Sequence, residues 1–180
     1  MARLKASERG IGIRFIHGDM CNFELGEKFK FIFIPAQSLS HVYNLEGIEN
    51  CFSCVRQHLM EGGKFLIELF NTSVKLLARD SNRRYPIGEH EDPNGDGRVF
   101  ITEQSNYDAA TQVNHNQWFF RIEGNDDETL LSFKTRQYFP QEIDALLWYN
   151  RFLIEHKYGS YSEEDFSSDA KKQLIICSAI

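Results

Sequence analysis

Hydrophobic and polar positions change rhythm several times along the 180 residues. Residues 2–9 form a charged amphipathic stretch that reads as the end of a helix, closed by Gly10 and Gly12. Ile11, Ile13, Phe15 and Ile16 then predict a short strand that stops at His17-Gly18-Asp19-Met20. From Phe29 to Ile34 the chain is apolar except for Lys30, and Pro35 stops the run. That is the pattern of a strand covered on both faces, as in a parallel sheet. Ile48, Cys51, Phe52, Val55 and Leu59 recur at helical spacing and predict a helix over 46–60, ended by Gly62-Gly63. Lys64 to Phe70 reads as the next buried strand. Strand, helix and strand with short joints make a βαβ unit with a right-handed crossover.

The middle of the chain is different. Residues 71–97 hold turn formers and charge without a sustained period, which predicts a long loop with one helical stretch near 73–80. Residues 98–106, 112–122 and 129–139 are rich in β-branched and aromatic side chains. Asp108-Ala109-Ala110 and Gly124-Asn125-Asp126-Asp127 separate them, so an antiparallel meander is expected. Pro140 opens a helix at its favoured first position, with Ile143, Leu146 and Leu147 on one face. Residues 152–158 and 173–178 are the last two strands. No repeat or linker interrupts the chain, so 1–180 is expected to be a single α/β domain with 98–139 as an antiparallel insert.

Composition narrows the function classes. The net charge of −6 comes without any Lys/Arg stripe, which argues against nucleic-acid binding by a basic surface. No apolar run approaches the roughly 20 residues that span a bilayer, so a membrane role is not expected. Four cysteines without a framework spacing fit a reducing cytoplasm. The 15 Phe, 7 Tyr and 2 Trp call for a well-filled core or an aromatic-lined cavity.

An ordered set of motifs carries a resemblance. Ile-His-Gly-Asp-Met at 16–20 is followed by Lys28-Phe29-Lys30-Phe31-Ile32 and by Gln37-Ser38-Leu39-Ser40-His41. His58-Leu59-Met60-Glu61-Gly62-Gly63 and Phe65-Leu66-Ile67-Glu68 come next, and Tyr138-Phe139-Pro140-Gln141-Glu142-Ile143 and Tyr158-Gly159-Ser160-Tyr161 close the series. In order and spacing this resembles small-molecule class I S-adenosylmethionine-dependent methyltransferases, from their third strand onward. The resemblance implies a Rossmann-like methyltransferase sheet lacking its first two strands, with the antiparallel β meander inserted as a substrate-side cap. It implies S-adenosyl-L-methionine as cofactor, Asp19 accepting from the adenine amino group, and Met20 packing on the purine. The competing reading of Asp19 is a turn cap. Ala36, Gln37 and Ser38 match positions that flank the cofactor's methionine portion, at the carboxyl end of a strand where open α/β sheets bind ligands. His41 matches a position near the reacting centre and could accept a substrate proton; a backbone-bonded helix-start histidine is the alternative.

The family's loop of an acidic residue followed by Gly-x-Gly-x-Gly has no counterpart here, and Gly10-Ile11-Gly12 lies in another context. In the family's sheet order, the strands that carry this loop lie between the third and fourth strands, so 11–17 would lack neighbours. The third strand could move beside the fourth, a partner such as a second copy could pair with 11–17, or the chain could be part of a longer protein. The third arrangement is the one favoured, with weak or no cofactor binding expected of this chain alone.

Three local patterns compete with the family reading. Asp92-Pro93-Asn94-Gly95-Asp96-Gly97 with Glu103 fits the spacing of a calcium loop. Without an entering helix, a polar turn is preferred and no metal is expected. Cys51-Phe52-Ser53-Cys54 falls on the apolar stripe of a helix and reads as packing. Arg84 and Tyr85 are the substrate-binding candidates, whereas Trp118 reads as core of the meander. The functional expectation is methyl transfer to a nitrogen or oxygen of a small molecule. The alternative is a non-catalytic methyltransferase-fold fragment acting in association.

Overall fold

The computed structural model describes residues 2–92, 95 and 97–180. The first half contains α1 (Ala2–Glu8), β1 (Phe29–Ile34), the 3-10 turn η1 (Ser38–His41), α2 (Leu45–His58), β2 (Leu59–Phe70) and α3 (Val74–Leu77). The second half contains β3 (Tyr85–Glu91), β4 (Arg98–Asp108), β5 (Val113–Ile122), β6 (Glu128–Arg136), α4 (Pro140–Tyr149), β7 (Phe152–Tyr158) and β8 (Lys172–Ala179). They build two four-stranded sheets, ordered β1-β2-β8-β7 and β3-β4-β5-β6. In the first, β1 and β2 are parallel, while β8 runs antiparallel to both of its neighbours.

The core lies where α2 and α4 cover the first sheet. Ile48, Cys51, Phe52 and Val55 of α2 and Ile143 and Leu147 of α4 are buried with Phe65, Ile67 and Phe152 of the strands. Phe52, Phe65 and Phe152 meet pairwise with ring centroids 5.2–5.9 Å apart, two of the three pairs edge-to-face. Each such pair adds about 0.5–1.5 kcal/mol beyond the area it buries. Asn44 starts α2 by accepting from the Gly47 amide at 2.8 Å, a side-chain cap for an otherwise orphan donor. Cys51 sits in this core with no exposure, in keeping with a packing role.

The second sheet is tied to the first at one joint. The Tyr138 hydroxyl donates to the Val42 carbonyl at 2.6 Å, and Tyr43 donates to the Lys134 carbonyl at 3.2 Å. The Arg136 guanidinium pairs with Glu142 at 2.7 Å and also reaches the Tyr43 carbonyl at 3.4 Å. Fully buried Gln173 donates to the carbonyls of Phe70 and Tyr138. These bonds fix the antiparallel sheet over the carboxyl ends of β1 and β2.

Several expectations need correction. Residues 11–18 form no strand, and Ile11, Ile13 and Ile16 are each at least half exposed. Alternating isoleucines make a strand only where a neighbour completes the ladder, and none lies beside them among the described residues. The expectation that 11–17 would move into the sheet is therefore not met. α2 stops at His58, before Gly62-Gly63, because Leu59 is already extended and pairs with Phe29 across a register shift. Gly62, at φ +69°, lies in that irregular start of β2 rather than at a helix cap. The expected loop over 71–97 contains β3, paired with β4 from Tyr85 to Glu91 and bulged between Pro86 and Gly88. It is an edge strand, the one sheet position that tolerates proline. The calcium-loop positions Pro93, Asn94 and Asp96 lie outside the described residues; Glu103, its final position, stands in mid-strand on β4. No His/Cys/Asp/Glu group arranged for a metal occurs among the described residues. No helix is long and apolar enough to cross a membrane.

Candidate functional site

The carboxyl end of β1 is the most constrained backbone in the molecule. Pro35 ends the strand, and Ala36 (φ +51°) and Gln37 (φ +59°) follow in the left-handed region. Neither is glycine, so each conformation costs about 1–3 kcal/mol and persists only where surroundings over-determine it. The restraints are explicit. The Ser38 amide and hydroxyl both bond the Pro35 carbonyl, at 3.0 and 2.8 Å, and the Ala36 amide donates to Glu68 Oε2 at 2.8 Å.

Glu68, near the end of β2, is only 6% exposed. Besides the Ala36 amide it accepts from the Tyr161 hydroxyl at 2.7 Å and from Lys172 Nζ at 2.7 Å. Burial pushes its carboxyl up, but the bonds from Lys172, Tyr161 and Ala36 outweigh burial and hold it below its ordinary value. One carboxylate thus joins the β1 turn, the start of β8 and the segment after β7. The Lys172 ammonium, bonded to Glu68, is correspondingly held above its ordinary range.

Two cavities open beside this turn. The larger, of about 850 Å³, lies between the strand ends and the antiparallel sheet. Gln37, Ser40 and Thr72 line its inner side, and alternate residues of three strands line its outer wall: Glu103 and Ser105, Asn114, Asn116 and Trp118, Phe133 and Thr135. Register explains the grouping, since Glu103 pairs with Trp118, Ser105 with Asn116, and Asn116 with Phe133. The period of two then brings all of them to one face. The second cavity, of about 660 Å³, runs along the free side of β1. Asp19, Met20, Phe33, Ile34, Cys51 and Val55 are among its lining residues.

The predicted site residues divide between these places. Asp19 and Met20 line the second cavity; Asp19 Oδ1 also accepts from the Cys21 amide at 2.9 Å, which makes it a turn cap as well. Met20 is half-buried and packs against the core. Ala36, Gln37 and Ser38 form the strained turn, and Gln37 reaches the larger cavity. His41 ends η1 with an exposed side chain; its neighbour Ser40, not His41, lines that cavity. Arg84 and Tyr85 line neither cavity. Arg84 pairs with Glu128 at 2.7 Å and stacks 3.4 Å over Phe119, while Tyr85 carries Arg79 over its ring at 4.7 Å. Sequence reasoning missed Glu103 and the cavity-facing side of Trp118. The turn at 108–112 was the available signal, because it sets the register that puts 103 opposite 118.

Comparison with known proteins establishes the fold. No protein-family model matches the chain, and no curated protein does. Solved structures do. One is an S-adenosylmethionine-dependent methyltransferase from Clostridium acetobutylicum, with TM-score 0.81 and 17% identity over 99% of this chain and 69% of that one. The CcbJ methyltransferase from Streptomyces caelestis gives TM-score 0.78 and 18% identity over 91% of this chain and 66% of its own. CalS10 from Micromonospora echinaspora, an amino pentose methyltransferase solved with S-adenosylmethionine, gives 0.70 and 15% over 99% and 70%. The chain therefore has the Rossmann-like fold of class I S-adenosylmethionine-dependent methyltransferases and spans about two thirds of the length of these structures.

Proposed function

We propose that the protein takes part in S-adenosylmethionine-dependent methyl transfer to a nitrogen or oxygen of a small-molecule acceptor. The observation that carries this reading is the strained Ala36-Gln37 turn at the carboxyl end of β1, held by buried Glu68 and reaching the 850 Å³ cavity. In open α/β sheets that end is where ligands bind, and stored strain clusters at such sites.

The residues at hand fit part of the cofactor. Asp19 keeps one carboxylate oxygen free of the turn bond and could accept from an exocyclic amine, and Met20 offers a polarizable face to a purine. Ala36, Gln37 and Ser38 are the proposed neighbours of the methionine portion. When bound, the sulfonium supplies a methyl group already activated for displacement. What remains for the protein is mainly to hold the acceptor's lone pair in line. In this reading the antiparallel sheet acts as the cap over the acceptor, and His41, exposed beside Ser40, takes the acceptor's proton to solvent.

The test is calorimetric titration with S-adenosylmethionine and S-adenosylhomocysteine, on the chain and on Asp19→Asn. The amide keeps the turn bond but loses the charge. Micromolar binding by the chain, weakened about tenfold by the substitution, is the expected outcome; a hydrogen bond to a charged group is worth about 1.5–3 kcal/mol. Absence of binding to either compound would count against the reading and favour the second one, a methyltransferase-fold protein acting in association. One feature supports that alternative: Phe31 and Phe33 lie exposed on edge strand β1 with ring centroids 5.6 Å apart.

A further inference from the structure

We infer that the cavity-facing wall of the antiparallel sheet is a subsite for a polyhydroxylated ring bearing an amine. Trp118 is its stacking platform and Glu103 its acceptor of hydrogen bonds. That this ring is the methyl acceptor rests on the methyl-transfer reading; its recognition does not.

The indole is held as a rigid surface. Its Nε1–H donates to Glu103 Oε2 at 2.7 Å. Phe133 meets it edge-on at 5.0 Å and 89°, and Phe120 at 6.2 Å and 64°. A platform fixed by three neighbours loses little freedom when a ring settles on it. Glu103 uses one oxygen on the indole, and its second oxygen has no partner among the described residues. Around the pair the wall is neutral and hydrogen-bonding. Ser105, Asn114, Asn116 and Thr135 face the same cavity, with Gln37 opposite. Arg136, also on this wall, is already neutralised by Glu142.

These features select a ligand class by elimination. An anionic ligand meets the Glu103 carboxylate. A flat apolar ligand leaves a row of amides and hydroxyls desolvated without partners, at about 1–3 kcal/mol for each group. An alicyclic ring with hydroxyls satisfies all of them, its C–H face on Trp118 and its edge on the amides and hydroxyls. An ammonium or amine on that ring matches Glu103. At about 850 Å³ the cavity lies within the roughly 300–1,000 Å³ of small-molecule sites.

The test uses fluorescence. The only other tryptophan, Trp148, is 59% exposed on α4 and lines neither cavity, so Trp148→Phe leaves Trp118 as the sole indole reporter. D-glucosamine, D-glucose, cyclohexylamine and catechol are titrated in turn. The expected result is saturable binding of glucosamine at least about tenfold tighter than of cyclohexylamine or catechol, since both lack the ring's full hydroxyl set. Glu103→Gln in the same background should bring glucosamine down to the affinity of glucose. Equal binding of catechol or cyclohexylamine, or no response to glucosamine over its soluble range, overturns the inference. Should Glu103→Gln fail to fold, the four-compound series on Trp148→Phe still decides. Calorimetry with S-adenosylhomocysteine runs beside it. Glucosamine binding without S-adenosylhomocysteine binding would sink methyl transfer and leave the subsite; the reverse would sink the subsite alone.

Discussion

Replacing Lys172 should damage this protein more than replacing Glu68, although the two side chains form one ion pair. The reason is the asymmetry of their burial. The Glu68 side chain is 7% exposed, whereas that of Lys172 is 32% exposed. In Lys172→Met the carboxylate stays buried with only the Tyr161 hydroxyl and the Ala36 amide to oppose desolvation. Breaking a buried pair in this way costs about 3–5 kcal/mol. In Glu68→Gln the amide oxygen still accepts from Ala36 and Tyr161, and Lys172 can turn to water. The loss there is one charge-assisted bond, about 1.5–3 kcal/mol. Against a domain stability of about 5–15 kcal/mol, both are measurable by urea unfolding followed by circular dichroism.

The pH dependence gives a second reading of the same pair. Glu68 titrates below its ordinary 4.5 in the folded state. Its contribution is therefore present above the unfolded-state value and is lost as pH falls through the folded one. Acidification below about 4.5 should weaken the parent protein, and Glu68→Gln should remove that part of the slope. In Lys172→Met burial is less opposed, so the carboxyl should titrate higher and the loss should begin at a higher pH. A Lys172→Met midpoint equal to or above that of Glu68→Gln would refute the burial argument. So would an unchanged acid limb in Glu68→Gln.

Two further outcomes follow from buried groups. Tyr138→Phe should lower stability by about 1–3 kcal/mol in thermal unfolding, because the Val42 carbonyl loses its donor at a joint closed to water; an unchanged midpoint would show that this joint does not hold the two sheets together. Burial pushes the thiols of Cys51 and Cys177 up to about 12, so both should resist alkylation at pH 8 in the folded protein and react only in denaturant. Mass-spectrometric mapping after brief iodoacetamide treatment checks this, and rapid native labelling of either site would contradict the packing given for α2 or β8.

What the sequence revealed follows from which forces are local. β1, the end of β2 and β8 are buried, so their apolar runs are nearly continuous and easily read. The meander was legible from β-branched runs separated by Asp108-Ala109-Ala110 and Gly124. β3 was not, because its residues 86–91 are exposed and burial imposes no alternation on Pro-Ile-Gly-Glu-His-Glu. Residues 11–16 failed in the opposite way: Ile11 and Ile13 alternate as a strand does, yet a strand is made by its partner. The same limit applies to the site. Asp19, Gln37 and Ser38 could be placed by their position after apolar runs. Glu68 appeared only as the last letter of a motif, since its partners lie 32, 93 and 104 residues away.

Those distant partners explain how a costly turn can exist at all. Two successive non-glycine residues in the left-handed region require roughly 2–6 kcal/mol together, and Pro35, Ala36, Gln37 and Ser38 supply only the two short bonds to the Pro35 carbonyl. The third restraint comes from β2, as a carboxylate whose charge is sustained from β8 and from the segment after β7. Strain at the end of β1 is thus balanced by groups that take no part in lining the larger cavity with Gln37. A substitution at Lys172 should therefore be felt at Gln37, through Glu68 and the Ala36 amide, as a relaxed turn and a displaced cavity wall. In chemical terms, the position of a residue proposed to touch the reacting molecules is set by an ion pair on the far side of the strand.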